Sequence, residues 1–105
     1  MTEKTRRERI EEMLAEDPND AFLRYSLAME HASAGQLEEA VGCFEELLRR
    51  NPDYVPGYMQ AGKALQQLDR IDEARGIWQT GVSVARRQND GHAADEMQAF
   101  LEGLD

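Results

Sequence analysis

The sequence has few of the residues on which catalytic and metal sites depend. Its 105 residues contain one cysteine, Cys43, and two histidines, His31 and His92. One cysteine cannot form an internal disulfide, which suits a reducing compartment. Neither histidine has a partner at metal-ligand or catalytic-triad spacing, and adjacent glutamates on a helix point about 100° apart. We therefore predict no catalytic residues, no metal site and no cofactor.

Long apolar runs are also missing. No run of about 18 apolar residues exists, which excludes a membrane-spanning helix of ordinary length. The charged N-terminal residues 1–13 lack the apolar segment of a secretory signal. Both observations favour a cytoplasmic protein.

Positive charge is scarce as well. Twelve basic residues face 21 acidic ones, which gives a net charge of −9, and residues 89–105 contain no lysine or arginine. Such a surface repels phosphate backbones and anionic lipid, so we expect neither a nucleic acid nor a membrane as a partner. A neutral or basic protein is the better match.

What the sequence does contain is a repeat. Pro18 and Pro52 lie 34 residues apart, and each follows a run of helix-forming residues. The same shift superimposes residues of similar size and polarity at many further positions. These pairs include Leu27 with Ala61, Ala28 with Gly62, Leu37 with Ile71, Ala40 with Ala74, Phe44 with Trp78 and Leu48 with Val82.

Each repeated unit reads as two helices with a break at Gly35 in the first and Asp69 in the second. Both residue types tolerate a left-handed backbone, which closes helices. Pro52 stops the second helix of the first unit, and we expect Asp53 to cap a new helix that carries Pro56 in its first turn. On the second helix, the pairs Glu45–Arg49 and Glu46–Arg50 have the spacing of ion pairs.

The spacing of these residues resembles that of the tetratricopeptide repeat family. The family pattern is an aromatic, Leu-Gly and Tyr in the first helix, then Ala-x-x-x-Phe and a closing proline. The first unit offers Arg24, Leu27-Ala28, His31, Ala40-x-x-x-Phe44 and Pro52, and the second offers Tyr58, Ala61-Gly62, Leu65 and Ala74-x-x-x-Trp78. The small residues allow close helix packing, and Phe44 or Trp78 fills the wedge between units.

The departures from the pattern also carry predictions. Arg24 and His31 replace aromatics, so we expect weaker or more polar packing there, with His31 in a packing role. Arg86 replaces the closing proline, so the last helix of the second unit continues to about residue 87 or 88. After a turn at residues 89–91, Ala94, Met97, Leu101 and Leu104 face inward on a capping helix.

The resemblance implies an all-α fold, an α-solenoid of antiparallel helix pairs in a right-handed superhelix of about six helices. We assign one domain, residues 1–105. It comprises a half-repeat helix at 3–17, repeat units at 19–52 and 53–87, and a C-terminal capping helix at 90–105.

In the family, the first helix of each unit lines a concave groove that binds a peptide or helix of a partner. Carried over to this sequence, the groove residues are Phe22, Tyr25, Ser26 and Met29 on the first unit, with Ser33 at its end, and Met59, Gln60, Lys63 and Gln67 on the second. The alternative is that some of these groove residues contact the neighbouring helix instead of a ligand.

The family subtype that clamps acidic C-terminal tails uses lysine and asparagine at the positions of Tyr25 and Met29. That clamp is absent, so we expect no acidic tail as ligand. The sequence therefore predicts a non-catalytic protein-interaction module. The alternatives are a self-associating assembly module, such as a homodimer, and a fragment of a longer repeat protein.

Overall fold

The computed structural model describes residues 3–105, which form α-helices joined by short loops and contain no strand. The all-α prediction is therefore confirmed. None of the helices in this part of the chain is long and apolar enough to cross a membrane. The helices are α1 (Arg6–Glu16), α2 (Ala21–Ser33), α3 (Leu37–Arg50), α4 (Val55–Gln67), α5 (Ile71–Arg87) and α6 (Gly91–Gly103).

The helices pack in chain order. α2 packs on α3, α3 on α4, α4 on α5 and α5 on α6, while α1 packs on α2. The molecule is elongated as a result, with extents of 51 × 28 × 20 Å. Sequential packing of this kind is the arrangement of an α-solenoid, in which each element contacts mainly its neighbours.

Three helices end in the same hydrogen-bonded motif, and the residue that closes it has a left-handed backbone. Gly35 has φ of 77°, Asp69 has φ of 61° and Asn89 has φ of 60°. The amide of the following residue reaches back five positions in each case, as Gln36 N–H does to the His31 carbonyl at 2.9 Å. This is the Schellman arrangement, which satisfies carbonyls at a helix end. The left-handed turns predicted at Gly35 and Asp69 are present.

The restart after Pro52 differs from the prediction at one residue. α4 begins at Val55 with Pro56 in its first turn, but its N-cap is Tyr54, without a side-chain cap, and Asp53 lies one position too early. The residue 34 positions before Tyr54 is Asp20, which does cap its helix: its side chain accepts from the Leu23 amide at 3.0 Å. The expected Asp53 cap is therefore wrong. The Tyr54 ring packs instead on Tyr25 of the first unit, as described below.

Arg24 makes a hydrogen bond equivalent to the one that Tyr58 makes in the second unit. The Tyr58 hydroxyl donates to the Pro52 carbonyl at 2.7 Å. In the first unit, Arg24 Nε donates to the Pro18 carbonyl at 2.8 Å. Both bonds join residues six apart and are related by the 34-residue shift. The helix entry is thus held in the same way in both units, although the first unit uses a charged side chain.

The core runs through the middle of the stack. Its largest fully buried side chains include Phe44 and Trp78, the residues expected to fill the wedges. The small residues expected at close helix contacts, Ala28, Ala40, Gly62 and Ala74, are all buried. On α6, Ala94 and Met97 are buried and Leu101 and Leu104 are half-buried, as expected for a capping helix. α5 ends at Arg87, also as predicted.

The ion pairs on α3 are arranged differently from the prediction. Glu46 accepts from both arginines: Arg49 Nη2 lies 2.6 Å and Arg50 Nε 2.6 Å from its carboxylate. The predicted Glu46–Arg50 pair is present, whereas Arg49 bonds to Glu46 and not to Glu45. These hydrogen bonds, that from Arg49 first, lower the pKa of Glu46 to about 2.

We expect Glu46→Gln to lower the melting temperature slightly at neutral pH. Because the folded pKa lies below the ordinary value of 4.5, the carboxylate stabilises the fold above that pH. The stabilisation is lost as the pH falls from about 4.5 towards 2. The difference between wild type and variant should therefore shrink over that range in thermal melts followed by circular dichroism. Glu45→Gln, with the same charge change, is the control, and a difference that does not vary with pH would contradict the assignment.

Candidate functional site

The predicted groove residues of the first unit lie together on one face of α2. Five of them line a surface cavity of about 320 Å³, whose wall is completed by Arg6 of α1 and by Glu30. Arg6 Nε and Glu30 Oε1 form an ion pair at 2.9 Å across the edge of this cavity. We call this surface the α2 cavity; its predicted members are Phe22, Tyr25, Ser26, Met29 and Ser33.

Tyr25 belongs in part to the packing of the stack. Its ring meets Phe44 edge-on, with centroids 6.3 Å apart, and Tyr54 in a tilted arrangement at 5.6 Å. Burial, and then the neighbouring Tyr54, raises the pKa of Tyr25. Tyr25 therefore joins α2 to α3 and to the start of α4 while one edge of its side chain faces the cavity. For Tyr25, the alternative given above therefore applies: the side chain contacts the neighbouring helix.

Phe22 is the member of the cavity with the most exposed apolar surface. Its side chain is 65% exposed, which makes it one of two large exposed apolar residues in the described chain; the other is Met13 on α1, at 47%. Ser26, which also lines the cavity, is half-buried and adds a hydroxyl. Phenylalanine and methionine, here Phe22 and Met29, are enriched in surfaces that contact another protein.

The predicted residues of the second unit lie on α4. Met59, Gln60 and Lys63 are half-buried and Gln67 is exposed. The backbone carbonyl of Met59 accepts a hydrogen bond from the indole of Trp78 at 3.2 Å. The backbone of α4 at Met59 is thus held to the core by this hydrogen bond.

Phe100 of α6, which the sequence analysis did not include, contacts the predicted groove residue Lys63. The ammonium group of Lys63 lies 5.1 Å from the centre of its ring, and the ring packs on Trp78 with centroids 5.1 Å apart. A cation at this distance is attracted to the aromatic face. Phe100 lies 34 residues after Gln66, which is one helical turn after Lys63, so extending the repeat register into α6 would have pointed to it.

The residues with reactive side chains make ordinary structural contacts. His31 is half-buried and bonds through Nδ1 to the Gln36 side chain at 2.9 Å. Cys43 is also half-buried, and burial raises the pKa of its thiol. The exposed His92 lies 2.8 Å from Glu96. Within residues 3–105, no group of three His, Cys, Asp or Glu residues is arranged to hold a metal ion.

Comparison with known proteins gives consistent results. A family model described as "Tetratricopeptide repeat" matches residues 2–91. The TPR repeat-containing protein PA0015 of Pseudomonas aeruginosa is 34% identical over 98 residues, which cover 93% of both chains. A relative with this coverage matches the whole stack of helices and not one unit alone.

Solved structures resemble the fold closely. The solution structure of a tetratricopeptide repeat domain protein from Salinibacter ruber is 37% identical, with a TM-score of 0.80, and covers 85% of this chain and 90% of its own. Protein BPP2914 from Bordetella parapertussis is 29% identical, with a TM-score of 0.83 and coverage of 97% and 89%. PcrH, solved in complex with the chaperone binding region of PopD, has a TM-score of 0.87 at 19% identity and coverage of 93% and 74%, a likeness of fold alone.

Proposed function

The chain belongs to the tetratricopeptide repeat family, and on this basis we propose that it is a non-catalytic module that binds a peptide or helix of a partner protein. The binding surface is the face formed by the α2 cavity and the exposed side of α4. The fold is generally a protein-interaction scaffold, which supports the proposal. PcrH, which shares the fold, was solved with a segment of another protein, PopD.

The observation that carries the proposal is the exposure of Phe22 beside the α2 cavity. A phenylalanine that is 65% exposed leaves a large apolar surface in contact with water. Burying such a side chain fully contributes about 1.5–3 kcal/mol, and an apolar anchor among polar neighbours is typical of interaction surfaces. In this proposal the partner inserts an apolar side chain next to Phe22 and Met29.

The partner is neutral or basic. The net charge of −9 favours such a protein on electrostatic grounds. Near the cavity, Arg6 and Glu30 neutralise one another. A cytoplasmic location is part of the proposal, since the free thiol of Cys43 suits a reducing compartment.

We expect Phe22→Ala to weaken partner binding by about tenfold or more, while the melting temperature stays nearly unchanged. Phe22 is a better test than Tyr25, because the Tyr25 ring also packs on Phe44 and its removal would affect the fold. Immobilised wild type and variant are exposed to native cell lysate, the retained proteins are identified by mass spectrometry, and the affinity of each is then measured by calorimetry with purified partner.

Met13→Ala is the matched control because it also removes an exposed apolar side chain, from α1. It should leave partner retention unchanged. Loss of binding with Met13→Ala and not with Phe22→Ala would move the site to α1. If only further copies of the protein itself are retained, and light scattering gives a mass that rises with concentration, self-association replaces the proposed function.

A further inference from the structure

Two cavities of similar volume share no lining residue with the α2 cavity, and they are related by the 34-residue repeat. The first outer groove, of about 410 Å³, is lined by Arg24 and by six residues that each recur 34 positions later in the second outer groove, of about 430 Å³. The second outer groove contains, at those six positions, Ala61, Leu65, Glu73, Gly76, Ile77 and Thr80. A feature that recurs with the repeat follows from the architecture of the unit.

Each outer groove is open above a glycine. Gly42 lines the first and Gly76 lines the second. Both are exposed helical glycines, and a Cβ atom added to either would meet nothing within 4 Å. A helical glycine costs about 1 kcal/mol relative to alanine. Because no neighbour requires these glycines, what they contribute is the open space in the groove.

The second outer groove has an apolar floor. Val41 and Leu48 of α3 face it together with Ile77 of α5, and the latter two are half-buried, so that they still offer apolar surface. An apolar side chain of a partner would fit above Gly76, where no side chain of the protein projects.

The two grooves differ in charge. The first contains one arginine, Arg24, together with His31 and two glutamates, Glu39 and Glu46, and Glu46 already bonds two arginines. The charged residues that line the second are Glu45 and Glu73, both acidic.

One arginine stands beside the second groove. Arg70 donates to Glu73 at 2.8 Å and to Glu38 at 3.1 Å. Glu45 is the third carboxylate in its surroundings. Three carboxylates around one guanidinium leave two negative charges uncompensated at this rim.

We propose that the second outer groove is a second docking surface, which binds a basic amphipathic helix of a partner protein. An apolar side chain of the helix lies above Gly76 against Leu48 and Ile77, and lysine or arginine side chains about one helical turn away meet Glu45 and Glu73. The two grooves share six repeat-related positions but differ in charge, so a basic helix prefers the second. The surface shares no lining residue with the α2 cavity.

The probe is a synthetic helical peptide in which leucines line one face and lysines the other. We expect it to shift the amide resonances of Ile77 and Thr80 in heteronuclear NMR spectra of the whole chain, more than those of Cys43 and Glu46 at the equivalent positions. A peptide with glutamate in place of every lysine should bind about tenfold more weakly or not at all. Equal binding of the two peptides would overturn the charge argument.

Gly76→Arg and Gly42→Arg form a matched pair, since each adds the same charge at an open helical glycine. Gly76→Arg should weaken the lysine peptide by about tenfold, because it fills the groove and places a cation at its rim, whereas Gly42→Arg should change the affinity by about twofold or less. Equal losses in the two variants would show that only net charge matters and would overturn the proposal. Phe22→Ala should leave this affinity unchanged; a loss there would assign the peptide to the α2 cavity.

Discussion

Replacing Trp78 by alanine is expected to lower the free energy of unfolding by about 3–5 kcal/mol. Trp78 is 0% exposed and is among the largest fully buried side chains. Its removal leaves a cavity between α4, α5 and α6, because the indole contacts Gly62 on α4 and the ring of Phe100 on α6. The Met59 carbonyl also loses the hydrogen bond that it accepts from the indole N–H. Chemical denaturation followed by circular dichroism gives the measurement.

The size of the loss in unfolding free energy tests whether Trp78 holds α4, α5 and α6 together. Trp78→Phe keeps a ring against Phe100 but removes the hydrogen bond, so it should cost less than Trp78→Ala. A loss below about 1 kcal/mol for Trp78→Ala would contradict the packing, since truncating a buried aromatic residue in a well-packed core costs several times more.

Much of the fold could be predicted because the repeat places each residue type in the same environment twice. The positions of Phe44 and Trp78 follow from their 34-residue spacing, and the left-handed turns at Gly35 and Asp69 follow from what those residues tolerate. The end of α5 near Arg87 follows from the missing proline. In each case a local steric preference and the repeat indicate the same structure.

The cap at Asp53 and the partner of Arg49 were predicted wrongly, for two different reasons. Asp53 is a good capping residue by type, but the N-cap lies one position later, at Tyr54, whose ring packs on Tyr25. Arg49 has carboxylates within reach at both three and four positions, and sequence spacing alone does not choose between them.

The candidate site shows the same limit. A helical period places Tyr25 on the exposed face of α2, and it does line the α2 cavity, but its contact with Phe44 depends on how closely α2 and α3 approach. Phe100 was missed for a different reason, because α6 was interpreted as a polar cap and the repeat register was not extended into it. Which proteins bind these surfaces depends on chemistry outside the chain.

Gly62 and Trp78 form a pair whose sizes are matched. A Cβ atom at Gly62 would lie 2.1 Å from Nε1 and 2.3 Å from Cε2 of Trp78. The indole is fully buried and bonded through the same nitrogen to Met59, so it has little freedom to move aside. In the first unit the equivalent residues are Ala28 and Phe44, both buried. The first unit thus combines a methyl group with the smaller ring, and the second combines no side chain with the larger ring.

Gly62→Ala is therefore expected to destabilise the protein by about 1–3 kcal/mol, even though alanine is the better helix former by about 1 kcal/mol. Gly76→Ala, at an open position on the next helix, is the control and should stabilise by about 0.5–1 kcal/mol. Equilibrium unfolding in denaturant measures both. If Gly62→Ala were also stabilising, the close approach of α4 and α5 would be refuted.

The double variant Gly62→Ala/Trp78→Phe tests whether the match of sizes is the cause. It gives the second unit the side chains of the first at these two positions. If the clash with the indole is what destabilises Gly62→Ala, alanine at residue 62 should be neutral or stabilising once residue 78 is phenylalanine. The coupling in the double-mutant cycle should then favour the pair by about 1–3 kcal/mol. Additive effects would mean that alanine harms α4 itself, an outcome that the helix propensities of the two residues argue against.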